Sequence, residues 1–104
     1  MSDHAVLKVV LHAPTPDAMQ RARNNASNLL REVPDAQIKI IANAQAVFFA
    51  LDTLHDVTDV VTWLCPNTLQ LANRQTREPL QVLPHAAVLE LAQLQQDGWL
   101  YIRA

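Results

Sequence analysis

Few residues in this chain could do chemistry. Its only cysteine, Cys65, ends the apolar run "TWLC" and stands directly before Pro66 in the stretch "TWLCPNTLQ". The histidines divide into His12 and His85, which follow the apolar segments "VVL" and "VLP", and His4 and His55, which read as tail and loop residues. A thiol reacts as its thiolate. Pro66 suits the first position of a helix, and the free backbone N–H groups of Asn67 and Thr68 beyond it would face the sulfur. A helix start stabilises an anion, so the ordinary cysteine pKa of about 8.5 falls there and the sulfur gains nucleophilicity. A free cysteine also packs well as a small hydrophobe, and spacing alone leaves both readings open. The same choice applies to His12 and His85, each of which is either a hydrogen-bonded side chain or a base.

The elements that must position these residues can be read from the pattern of apolar positions. Ala5–Leu11, "AVLKVVL", has the β-branched, leucine-rich character of a strand buried on both faces. Thr15 can cap the next helix, with Pro16 first in it and Asp17 complementing its positive end. Met19, Ala22, Ala26, Leu29, Leu30 and Val33 then recur at helical spacing until Pro34. A second strand spans Ala36–Asn43, and Asn43 is placed to cap the helix "AQAVFFALDTL". That helix is apolar almost all round, which suggests burial against another subunit. A third strand, Asp59–Cys65, leads into the helical turn "PNTLQLANR", the polar break "QTRE" and a fourth strand, "PLQVLP". The helix "HAAVLELAQLQQDG" should turn Val88, Leu91, Ala92 and Leu94 inward and stop at Gly98, before a last strand, "WLYIR". Alternating strands and helices predict an α/β domain with a mainly parallel five-stranded sheet and helices on both faces, a three-layer α/β/α sandwich. In such a sheet the C-terminal strand ends share one edge where ligands bind, which brings His12, Asn43, Cys65 and His85 to that edge.

Composition removes several function classes. The 104 residues suit one domain, 1–104. A formal charge of −2 leaves no basic excess for nucleic acid, and Arg21, Arg23 and Arg31 read as a solvated helix face. No apolar run approaches the length of a membrane span. Met1-Ser2-Asp3-His4 lacks a basic stretch followed by an apolar one, so a cytoplasmic protein is expected. One cysteine cannot form a disulfide within the chain. With Gly98 the sole glycine, neither a phosphate-cradling loop nor a GxSxG elbow is possible, and Thr15 alone speaks for a flavin or nucleotide site. His12, His85 and Cys65 lack metal-ligand spacing, so neither a metal nor another cofactor is expected.

Several segments in order resemble the DsrE/DsrF-like family of small sulfur-relay proteins. They are "KVVLHAPTPDAMQRARNNASNLL", "AQIKIIANAQAV", "LCPNTLQ" with Cys65, Asn67, Thr68 and Leu69, and "VLPHAAVLELAQLQQDGWLYIR". Together they cover nearly the whole chain. The chain departs from the family pattern at Ala44 and Pro66, where glycine is common, and at "LANRQ", where Arg-Gly often follows. The resemblance implies a homo-oligomer, trimeric or hexameric, and a cysteine that carries sulfur as a persulfide between donor and acceptor proteins. On that reading Cys65 is the carrier, His12, Asn43, Asn67 and Thr68 line its pocket, and His85 is a candidate for proton transfer. The alternative is a non-catalytic oligomeric module in which the same edge binds a ligand or partner and Cys65 only packs.

Overall fold

The computed structural model describes residues 6–104. The first five residues lie outside the description, and with them the reading of the N-terminus as lacking an export signal, the tail assignment of His4 and the first residue of the expected first strand. The elements run β1 (Lys8–Ala13), α1 (Pro16–Glu32), β2 (Gln37–Ala42), α2 (Gln45–Asp52), α3 (Asp56–Asp59), β3 (Thr62–Leu64), α4 (Pro66–Ala72), β4 (Gln81–Val82), α5 (Ala87–Gln96) and β5 (Leu100–Arg103). All strand pairs are parallel, in the order β4-β3-β2-β1-β5. The chain is the α/β protein with a five-stranded parallel sheet that the sequence predicts.

The order of strands dictates where the helices lie. From β1 to β4 the chain steps in one direction across the sheet, so right-handed crossovers put α1, α2 and α4 on one face. The step from β4 to β5 runs back past three strands, and the same handedness sends α5 to the other face. Two cores result. The larger joins Val9, Leu11, Ile38, Ile40 and Leu64 to Ala18, Met19, Ala22, Val47 and Leu69. The smaller holds Val10, Ile41, Cys65 and Leu83 against Ala87, Leu91 and Leu94 of α5, with Trp63 and Trp99 at its margin. Lys39 lies between those tryptophans, its Nζ 5.2 Å from one ring centroid and 5.3 Å from the other.

Helix α1 starts as its residues require, with the Thr15 hydroxyl accepting from the Ala18 N–H at 3.0 Å and Pro16 in the first turn. Gly98 closes α5 at φ +92, a conformation that only glycine adopts without strain. Other expectations are corrected. β1 extends through His12 to Ala13, because β5 pairs it as far as His12 and β2 as far as Ala13. β4 shrinks to two residues, since prolines 79 and 84 at the ends of "PLQVLP" have no N–H to give a ladder. Val88 is 73 % exposed and Ala92 is also exposed. Ala87, Leu91 and Leu94 form the inward stripe instead, at the i, i+4, i+7 spacing of one helix face. The apolar circumference of α2 is largely covered within the chain, with Ala46, Val47, Ala50 and Leu51 buried and arginine groups over both phenylalanines.

Arg23 is not on a solvated face; it is 1 % exposed, inside the α1 stripe of Met19, Ala22 and Ala26. Alanines on that stripe leave the volume that a guanidinium needs. Arg23 donates to the Thr53 carbonyl at 2.6 Å and pairs with buried Asp59 at 3.3 Å, while its cation lies 5.2 Å from the Phe49 ring centroid. Arg77, from the polar break, pairs with the other Asp59 oxygen at 3.0 Å and donates to the Ala50 and Leu51 carbonyls at the end of α2. The third strand therefore starts late, because Asp59 belongs to α3 and faces this cluster. Burial pulls the Arg23 pKa down and Asp59 opposes that fall, with Arg77 adding to it. Removing one partner of such a buried pair leaves a charge without full compensation. Arg23→Met is expected to cost about 3 kcal/mol in urea unfolding, whereas Asp52→Asn, which breaks the solvent-exposed pair with Arg74, should leave the midpoint unchanged.

Candidate functional site

The loops leaving β3 and β4 turn to opposite faces of the sheet, which opens a crevice between them at the carboxyl edge. Cys65 sits there. It continues the β3 ladder through its N–H to the Ala42 carbonyl at 2.9 Å, and its backbone is the N-cap of α4 at φ −67, ψ 123. The open N-terminal turns of α4 and α5 both face its sulfur. Burial raises the thiol pKa, but the N–H groups of Ala87, Thr68 and Asn67 and the Thr68 hydroxyl outweigh it, and the net direction is down. Sγ forms no capping bond of ordinary geometry to α4. The donors therefore act as a set of oriented dipoles.

Thr68 is held so that it can play this part. Its Oγ1 accepts the Ala44 N–H at 3.2 Å, which directs its own hydrogen elsewhere, toward the sulfur. That acceptance depends on a strained backbone, because Ala44 has φ 51 and ψ −138, a region that L residues avoid. The expectation that Asn43 caps α2 is corrected: Ala44 occupies the cap position, and α2 has no side-chain cap. The Asn43 side chain instead faces His12, with Oδ1 3.0 Å from Nε2.

Cys65 lines a groove of about 510 Å³ between the start of α2 and α4. Asn43, Ala44 and Gln45 form one rim, while Phe48, Leu71 and Ala72 form the apolar wall and Thr68 stands beside the sulfur. The cysteine is 6 % exposed, so it presents a small part of its surface to a sizeable hollow. Of the residues singled out in the sequence, Asn43, Thr68 and Cys65 share this groove, and Asn67 contributes its backbone N–H. His12 does not reach the sulfur. β2 separates β1 from β3, two strand spacings of roughly 4.8 Å each. Both His12 nitrogens are engaged, Nδ1 with the Tyr101 hydroxyl at 2.6 Å and Nε2 with Asn43. Its role is to fix the Asn43 amide. His85 does not line the groove; it is paired through Nε2 with Glu90 at 2.7 Å, while Lys39 approaches the other Glu90 oxygen at 3.9 Å. Among the described residues no cluster of His, Cys, Asp or Glu could hold a metal ion.

Sequence reasoning missed Ala87 and Gln45. The α5 N–H reaches Cys65 only because β4 and β3 are neighbours, which no local pattern records. Tyr101 reads in the sequence only as part of the last strand, although its hydroxyl orders His12 and hence Asn43.

Ala44→Gly relieves the positive φ, and part of that gain is offset by the freer unfolded chain. The net expectation is a stabilisation of about 1 kcal/mol, read from the urea midpoint. An unchanged or lowered midpoint would show that the strain at Ala44 does not exceed the entropy that glycine returns to the unfolded chain. Compared with known proteins, the chain matches no family model and no curated sequence.

Proposed function

We propose that this chain is a cytoplasmic sulfur carrier of the DsrE/DsrF-like kind, acting as a homo-oligomer that takes sulfur from one partner and passes it to another. The observation that carries the reading is the field of four donors around Cys65 in a groove large enough for a second molecule. It is supported by the resemblance of segments across the chain. No helix among the described residues is long and apolar enough to cross a membrane, and nothing in the charge balance favours nucleic acid.

The chemistry needs no cofactor. The Cys65 thiolate attacks the outer sulfur of a donor persulfide R–S–SH, a new S–S bond forms on Cys65, and the donor's own S–S bond breaks. R–S⁻ leaves with the electron pair and takes a proton from solvent. The Cys65–S–SH so formed gives up its own proton to solvent, which leaves an anionic sulfur again, one atom farther into the groove. Asn43 can donate to it through its amide N–H₂, because the amide oxygen is held by His12. Transfer to an acceptor is the same exchange run onward, with no net change in oxidation state.

A second reading is favoured by one observation: Cys65 is also a member of the smaller core, with Val10, Ile41 and Leu83. On that reading the sulfur only packs, and the groove serves a ligand or partner without chemistry.

Incubation with a low-molecular-weight persulfide is expected to add the mass of one sulfur atom, and Cys65→Ser to abolish the gain. A protein unchanged under a range of donors, and alkylated by iodoacetamide only after denaturation, would establish the packing reading. A second prediction concerns pH. The donors lower the thiol pKa, so alkylation reaches half its maximal rate at lower pH than for an unperturbed cysteine. Thr68→Val removes a donor and should shift that inflection upward, slowing the reaction at neutral pH while leaving the plateau at high pH intact.

A further inference from the structure

The walls of the groove carry information about what enters it. Apart from Cys65 itself, none of its lining residues is ionisable. Arg74 lies 5.9 Å from the Phe48 ring centroid, and it is already paired with Asp52 at 2.7 Å. The groove lining therefore holds no cation among the described residues, and the nearest one, Arg74, brings its own counter-charge in Asp52. Its wall is a phenyl ring, a leucine and an alanine, and its rim offers only the amides of Asn43 and Gln45. Its volume falls within the span of about 300–1,000 Å³ typical of small-molecule sites.

The donors around the sulfur serve one negative charge. A guest bringing a carboxylate or sulfonate up to the sulfur would meet repulsion from the thiolate and no counter-charge in the lining. Resting on the carrier reading, we infer that the small molecule exchanging sulfur at Cys65 is the persulfide or thiol of an uncharged, apolar group, alkyl or aryl, seated between Phe48 and Leu71. Anionic donors such as thiosulfate, or thiols bearing carboxylates, are the excluded class.

The test uses two aromatic disulfides of similar shape and opposite charge character, neutral dithiodipyridine and dianionic dithiobis(nitrobenzoate). Each reacts by the same exchange: the Cys65 thiolate forms a mixed disulfide and releases one aromatic thiolate. Rates are normalised to those of the same reagents with an unstructured cysteine peptide. The neutral reagent is expected to be favoured by about tenfold or more on the folded protein. Leu71→Arg, at a position 89 % exposed and so free of packing demands, should erase or reverse that preference. Equal normalised rates on the native protein, or preference for the dianion, would overturn the inference, and if sulfur loading persists the carrier reading survives that result. Reaction with neither reagent until the protein is denatured would overturn both.

Discussion

The parallel sheet imposes one constraint from which the site follows. With every strand pointing the same way and every crossover right-handed, the helices after β1, β2 and β3 must lie on one face and the helix after β4 on the other. The chain thus parts between β3 and β4. A sulfur at the end of β3 meets the opening turns of two helices at once, α4 from its own loop and α5 from across the gap. Neither helix uses a side-chain cap of its own, so their first N–H groups are free to act on the sulfur. Had β4 stood elsewhere in the order, the Ala87 N–H would be absent from the site and burial would weigh more heavily.

Position and stability are linked around this crevice. The arginine pair on Asp59 ties α1, the end of α2 and the loop before β4 into one unit, so the helix whose start forms the groove rim is anchored at its far end. At its near end, α2 begins with a strained residue whose N–H is spent on Thr68. The strain is tolerable because the anchored end holds the helix in register with α4. His12 and Tyr101 do the corresponding work from β1 and β5, fixing an amide that they never carry into the groove themselves. The candidate site is thus held by elements from across the sheet, although only α2 and α4 form its walls.

Much of the fold is legible in the residues, and the reasons are local. Thr15-Pro16-Asp17 announces a helix because capping is short-range, and alternating strands and helices leave little choice but a parallel sheet. Cys65 before Pro66 points to a helix start for the same reason. What escapes is long-range. Arg23 reads as a surface residue by type, and only its spacing from Met19 and Ala26 hints that it shares their buried stripe. Asn43 is a sound cap by composition, yet a partner on β1 claims its side chain. His12 and His85 both reach the expected edge, but strand order decides which residues can touch, and the chain's pattern does not state that order. The alanine at position 44 carries a positive φ that glycine would have taken freely, and nothing in the residue type announces it.

Both tryptophans of the chain, Trp63 and Trp99, meet the Lys39 ammonium at the margin of the α5 layer, with Lys8 also over Trp99, and the larger core contains neither. The protein is therefore optically lopsided. Its intrinsic ultraviolet emission watches the layer that carries the sulfur and is nearly blind to the layer built on α1. Loosening of α5 would alter the emission while the α1 layer stayed intact, so fluorescence and circular dichroism part company whenever the two layers melt separately.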